Sequence, residues 1–162
     1  NWGPDTQGVP FIRGAHFCLE GSEVRINHPA YDTGIEEGSI ERSQALWKGP
    51  IKPRGVSRVA CQAIVNARKE RRLRWVVVAP NCVLGNSVNF LQLPNAVLDS
   101  LVVEHGSVNE GLLFVAAQLN SEALDLWSRA WAANNNVNNY ELESLPLPPP
   151  STEGALNYAL RQ

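Results

Sequence analysis

Arg68, Lys69, Arg71, Arg72 and Arg74 stand within the nine residues ARKERRLRW (67–75) of a 162-residue chain whose formal charge is only −2. Cationic side chains at that density suit one kind of chemistry, the displacement of counterions from a polyanion whose phosphates they then hold. Ten of the 14 Lys and Arg residues fall between 42 and 74, where Lys48, Lys52, Arg54, Arg42 and Arg58 join the five above and only Glu70 opposes them. Acidic residues flank this stretch: Glu36, Glu37 and Glu41 before it, Asp99, Glu104 and Glu110 after it. Such segregation fits a polyanion-binding face on an acidic body, nucleic acid being the commonest polyanion. The alternative is a basic loop that is simply solvated.

Residues for covalent or metal chemistry are scarce. His16 and Cys18 are near neighbours, but no further Cys or His stands at zinc-ligand spacing. LGNSVN (84–89) lacks the pattern and the strand-to-helix context of a nucleophile elbow. No phosphate-cradling loop or dinucleotide fingerprint is present. No lysine has an acidic residue two positions before it, as the carboxylate and lysine pairs of many metal-dependent nucleases do. The expectation is a chain with no catalytic residue, metal or cofactor of its own.

Composition sets the frame for these residues. At 44% hydrophobic, the chain can bury one sizeable core, so a single domain is expected. Its apolar runs are all shorter than the roughly 18 residues that cross a bilayer, and NWGPDTQGVP is no signal peptide. Three widely spaced cysteines, Cys18, Cys61 and Cys82, argue against a disulfide framework. A soluble cytoplasmic protein without a membrane partner is expected, and the absence of Met suggests an excised piece of a longer one or a processed chain.

Hydrophobic patterning predicts the elements that must position the charges. GVPFIRGAHFCL (8–19) reads as a strand bent at Gly14, followed by a turn at Gly21 and the short strand EVRI. Residues 28–55 read as a long loop with one helical turn around Ile40 to Trp47. VSRVACQAIV (56–65) and the β-branched LRWVVVAP (73–80) are strands, the latter buried on both faces, so the basic nonapeptide connects them. Alternation along that strand predicts Arg72 and Arg74 on the exposed side, opposite Leu73 and Trp75. NSVNFLQLP (86–94) and VLDSLVVEH (97–105) are read as two further strands.

The period then changes. Ser107 with Glu110 three residues later forms a capping-box pattern, and Leu112, Val115, Ala116 and Leu119 follow at helical spacing. Asn120 or Ser121 caps a second helix whose apolar face is Leu124, Trp127, Ala130 and Trp131. That helix stops at the Asn run 134–136, and a short strand over Tyr140 to Leu145 leads into LPLPPP. The fold class expected is α+β: a mixed, mostly antiparallel β-sheet lobe over 8–105 carrying the basic hairpin, then a helical pair and return strand over 106–150. The tail 151–162 is expected to add a helical turn or two.

GVPFIRGAHF, SRVACQAIVNARKERRLRWVVVAPNCVLGNSVNFL and GLLFVAAQLNSEALDLWSRAWAANNNVNNYELESLPLPPP, in that order, resemble the TaqI-like target recognition domain of bacterial adenine-specific DNA methyltransferases. The resemblance covers most of 8–150. Its most specific part is the C-terminal stretch: two helices, an Asn-rich turn, then Leu142, Leu145, Pro146, Leu147 and Pro148. Gln62 stands where the family often has a second arginine, and Ala15 and His16 where a Lys or Arg plus Asp is common.

The resemblance implies a division of labour. A separate catalytic domain binds S-adenosylmethionine, flips the target adenine and methylates its exocyclic amine, while the recognition domain reads base edges in double-stranded DNA. The family's catalytic tetrapeptide ends in an aromatic residue and is missing, since the run Pro148 to Pro150 is followed by Ser151, and its glycine-rich methyl-donor loop is missing too. The parent is then an adenine methyltransferase, or a fused restriction endonuclease and methyltransferase, or a specificity subunit. An unrelated α/β protein-binding or catalytic domain is the alternative. On the leading reading Lys48, Lys52, Arg54, Arg68, Lys69, Arg71, Arg72 and Arg74 contact phosphates. Arg pairs with guanine edges and Asn or Gln with adenine edges. The base-reading candidates are therefore Arg13, Arg58, Gln62, Asn81, Asn86, Ser87, Asn89, Asn136 and Asn138, with Asn134, Asn135 and Asn139 in the same cluster. Turn and cap roles are the alternative for the asparagines. Trp2, Trp47, Trp75, Trp127 and Trp131 are expected in the core or at a domain interface, Trp47 being the one to test for DNA contact.

Overall fold

A computed structural model describes residues 9–21, 23–28, 46–47, 57–66, 68–80, 82–130 and 135–146. Lys48, Lys52, Arg54, Asn81, Trp2, Trp131 and Asn134, most of the expected 28–55 loop and the 151–162 tail lie outside these residues.

The fold is α+β, with small, mostly antiparallel sheets and helices. At its centre β5 (Arg58–Gln62) pairs antiparallel with β6 (Trp75–Val78) on one side and β8 (Val88–Phe90) on the other. Side chains alternate across β5 as a pleated strand requires. Val59 and Cys61 face a core with Trp75, Leu101, Leu112, Val115 and Leu119. Ala60 faces a second core with Ile12, Phe17, Ile26, Val78 and Cys82. The β-branched run at 76–78 follows from that position between two apolar layers.

The expected first strand is divided. β1 (Val9–Ile12) pairs with β4 (Leu46–Trp47) and, in parallel, with β7 (Val83–Leu84). A 3-10 turn at Gly14–His16 then redirects the chain into β2 (Phe17–Glu20), which forms a hairpin with β3 (Glu23–Ile26).

Leu46–Trp47, expected at the end of a helical turn, is strand β4, and two segments read as strands are helices. The expected strand at 97–105 is a helix, α1 (Asn95–His105), N-capped at Pro94 and closed by Gly106, whose φ of 84° is the left-handed conformation that favours glycine. Leu101 is buried against α2 (Val108–Leu119), where Gly111 leaves room: a Cβ there would sit 2.5 Å from the Leu101 Cβ. α2 begins as expected, the Ser107 hydroxyl accepting from the Glu110 amide at 3.2 Å, and buries Leu112, Val115, Ala116 and Leu119. The expected return strand over Tyr140 to Leu145 is a short helix, α4 (Asn139–Glu143), which turns Glu141 inward.

α3 (Glu122–Ala130) forms where the second helix of the pair is expected, but its buried face is Leu124, Asp125 and Ser128. Trp127 is 43% exposed, so it is partly covered and stands outside the buried core. Trp75, as expected, is in the core. No helix among the described residues is long and apolar enough to cross a membrane.

Candidate nucleic-acid interface

The basic nonapeptide does connect β5 to β6, but most of its arginines turn inward. Arg72 is 0% exposed. Its Nη2 donates to Glu141 Oε2 and to the Asn136 carbonyl, both at 2.8 Å. Strand alternation predicts Arg72 on the exposed side, yet residues 71–74 precede β6, and an irregular bend carries no period-2 rule.

α3 holds that bend. Asp125 Oδ1 accepts the amides of Arg72 and Leu73, both at 2.7 Å, while its Oδ2 accepts from Arg129 Nε at 2.8 Å. Arg129 Nη2 donates onward to the carbonyls of Lys69 and Glu70 at 2.8 Å. Asn120 adds a strand-like pair of bonds to Trp75, accepting from its amide at 2.9 Å and donating to its carbonyl at 2.7 Å.

The remaining expected phosphate contacts divide. Arg71 is half-buried and donates to the Asn120 carbonyl. Arg74, also half-buried, donates to the carbonyls of Arg71 and Phe17 at 3.3 Å. Arg68 and Lys69 are exposed, their amides fixed by bonds to Asn66 at 2.9 Å. As placed, Arg72 cannot reach a phosphate, and Arg71 and Arg74 already serve main-chain carbonyls. Arg68 and Lys69 present their charge outward.

Among the base-reading candidates, Arg58 is also buried. Its Nη2 donates to the Cys82 carbonyl at 2.9 Å, and its guanidinium lies 5.5 Å from the Phe90 ring centre. It sits in the second core, so base reading by Arg58 is not compatible with this geometry. Arg13 is exposed, Gln62 and Ser87 are half-buried, and the Ser87 hydroxyl accepts from the Gly14 amide at 2.9 Å.

The asparagines do come together. Beyond β5 the chain continues as a bridge, Ile64 opposite Asn136, with Val65 donating to the Asn135 carbonyl at 2.7 Å and Val137 to the Ala63 carbonyl at 2.8 Å. Across this seam lies a groove of about 350 Å³ lined by Ala63, Ile64, Asn86, Asn89, Asn136, Val137, Asn138, Asn139 and Tyr140. Asn89 of β8 ties one wall by donating to the Val137 carbonyl at 2.7 Å. Asn138 Nδ2 donates to Glu141 Oε1 at 3.1 Å, so that carboxylate is held between Arg72 and Asn138. Ile64 is 54% exposed and Tyr140 61%.

The buried arginine therefore builds the groove instead of touching a ligand. Arg72 fixes both the Asn136 carbonyl and α4, and α3 fixes Arg72. Sequence reasoning missed Glu141 and Asp125, which lie 69 and 53 residues from Arg72. It also passed over Ile64 and Tyr140. Tyr140 carried a signal, an aromatic residue immediately after a run of asparagines.

A wider depression of about 670 Å³ lies between the β2–β3 turn and α3, lined by Leu19, Gly21, Glu70, Arg71, Glu122, Asp125, Leu126 and Arg129. Asp125 and Arg129 there are engaged with each other and with the 69–73 bend. Exposed acids sit on or beside α1 to α4 (Asp99, Glu104, Glu110, Glu122 and Glu143), on the β2–β3 hairpin (Glu20 and Glu23) and next to Lys69 (Glu70), and the exposed cations Arg13, Arg68 and Lys69 lie on strand connections. Among the described residues no group of three or more His, Cys, Asp or Glu side chains is placed to hold a metal ion, and all three cysteines are free.

His16 packs against His28, ring centres 5.3 Å apart, and its Nδ1 accepts from the Arg13 amide at 3.2 Å. Burial, then the neighbouring His28 and Arg13, lowers its pKa to about 4, so the ring is neutral at pH 7. Compared with known proteins, the chain matches no family model, no curated sequence and no solved structure.

Proposed function

We propose that the chain is a recognition domain that reads double-stranded DNA through the Asn-lined groove. One observation carries the reading: five asparagines, Asn86, Asn89, Asn136, Asn138 and Asn139, line a single open groove beside exposed Ile64 and Tyr140. Amides are the neutral groups best matched to base edges, and a groove without charged lining residues binds by pattern more than by charge. Arg68 and Lys69, four and five residues beyond Ile64, supply the phosphate contacts near it.

The resemblance to adenine-specific methyltransferase recognition domains adds the context. S-adenosylmethionine and methyl transfer to N6 belong to a separate catalytic domain, in the same parent chain or complex, inside the bacterial cytoplasm.

The test is a titration of the chain with a duplex pool at several salt concentrations. Wild type binds with a logarithmic salt dependence, and the Arg68→Gln/Lys69→Gln variant loses about 0.9 in slope for each phosphate contact removed. Arg58→Gln leaves the slope unchanged. Absence of salt-dependent duplex binding overturns the proposal.

A further inference from the structure

The groove's chemistry narrows what it reads, and this inference rests on the DNA-binding function just proposed. We infer that it recognises A·T base pairs in the major groove, with Asn86 and Asn139 reading adenine and Ile64 contacting the thymine methyl group.

Adenine presents N7 as an acceptor and N6 as a donor, and one carboxamide satisfies both only if its nitrogen and its oxygen are uncommitted. The groove's asparagines are not equivalent by that criterion. The amide nitrogen of Asn138 serves Glu141 and the Tyr140 hydroxyl, at 3.1 and 3.3 Å. That of Asn89 serves the Val137 carbonyl. Asn86 and Asn139 are exposed, and neither side chain makes a hydrogen bond to a described residue. Asn136 has a further interaction of its own, which leaves Asn86 and Asn139 as the two amides able to pair bidentately.

Guanine and cytosine are disfavoured by the same lining. Bidentate recognition of guanine O6 and N7 calls for Arg or Lys, and acceptance from cytosine N4 for Asp or Glu. The groove is lined by none of these. Ile64 instead offers an exposed apolar surface, which gains by covering a methyl group and would lose by desolvating a polar base edge. The wall that carries Asn136 to Asn139 is already fixed through Arg72 and Glu141, so little ordering opposes binding.

The experiment is selection from a randomised duplex pool on the immobilised chain, followed by sequencing, for wild type and for the Asn86→Ala, Asn139→Ala and Ile64→Ala variants. Thermal melting confirms that each variant is folded. Wild type enriches A·T pairs, and each asparagine variant loses roughly 5- to 150-fold discrimination at one adenine position. Replacing thymidine by deoxyuridine in the enriched duplex weakens wild type but not Ile64→Ala. Enrichment of G·C pairs, or a preference unchanged in both asparagine variants, overturns the A·T reading while salt-dependent binding keeps the DNA-binding function. Failure to retain any duplex overturns both.

Discussion

Replacing Arg72 by Met removes a cation that is wholly buried and bonded to Glu141 and to the Asn136 carbonyl. Met keeps much of the side-chain volume, so the cost is chiefly electrostatic. Glu141, with a side chain only 2% exposed, would retain the single donor Asn138. Removing one partner of a buried pair costs about 3–5 kcal/mol, because the charge left behind is uncompensated. The Glu141→Leu variant should cost a similar amount for the mirrored reason. The double variant Arg72→Met/Glu141→Leu leaves no unpaired charge, so it should recover most of the loss, since buried pairs replaced by apolar groups are often near neutral. The Asn136 carbonyl and the Asn138 amide would each lose a partner, and about 1–3 kcal/mol remains on that account. Urea unfolding of the four proteins in a double-mutant cycle measures this directly. Single variants within about 1 kcal/mol of wild type, or a double variant as unstable as the sum of the singles, would refute the view that Arg72 builds the groove.

His16 sets a pH dependence. Its folded pKa of about 4 lies below the ordinary 6.5, so the unfolded chain binds the proton first, and stability present above pH 6.5 falls as pH drops toward 4. The slope is at most about 1.4 kcal/mol per pH unit, and His16→Gln should flatten it in urea titrations across that window. Gly111→Ala should destabilise by about 1–3 kcal/mol through overpacking on Leu101, read as a lowered melting temperature. Trp127→Ala should cost about 1–3 kcal/mol, less than the roughly 3–5 of a fully buried aromatic because Trp127 is 43% exposed, and a loss above about 4 kcal/mol in urea unfolding would contradict that exposure.

Local pattern was enough wherever neighbouring residues decide the outcome. Ser107 and Glu110 start α2, helical spacing names its four apolar core residues, and the β-branched run at 76–78 marks a strand between two apolar layers. At 97–105 local signals conflicted. Val97, Val102 and Val103 favour a strand, but Pro94 and Gly106 bracket a helix, and packing of Leu101 on Gly111 resolves the conflict. The short helix at Asn139–Glu143 had no comparable pair of brackets, and its inward Glu141 makes sense only once Arg72 lies beside it.

Charge was the least local property. The sequence determines that Arg68 to Arg74 are clustered; it cannot say which of them meet solvent, because the answer lies in Asp125 and Glu141, more than 50 residues away. A guanidinium enters a core only where carboxylates and carbonyls converge to replace its water, and such convergence is a property of the packed chain. The same holds for the groove. The composition of the Asn-rich segments was plain, but their union with Ile64, Asn86 and Asn89 depends on the bridge between Ile64 and Asn136, which forms only when the end of β5 and the chain after α3 are brought together.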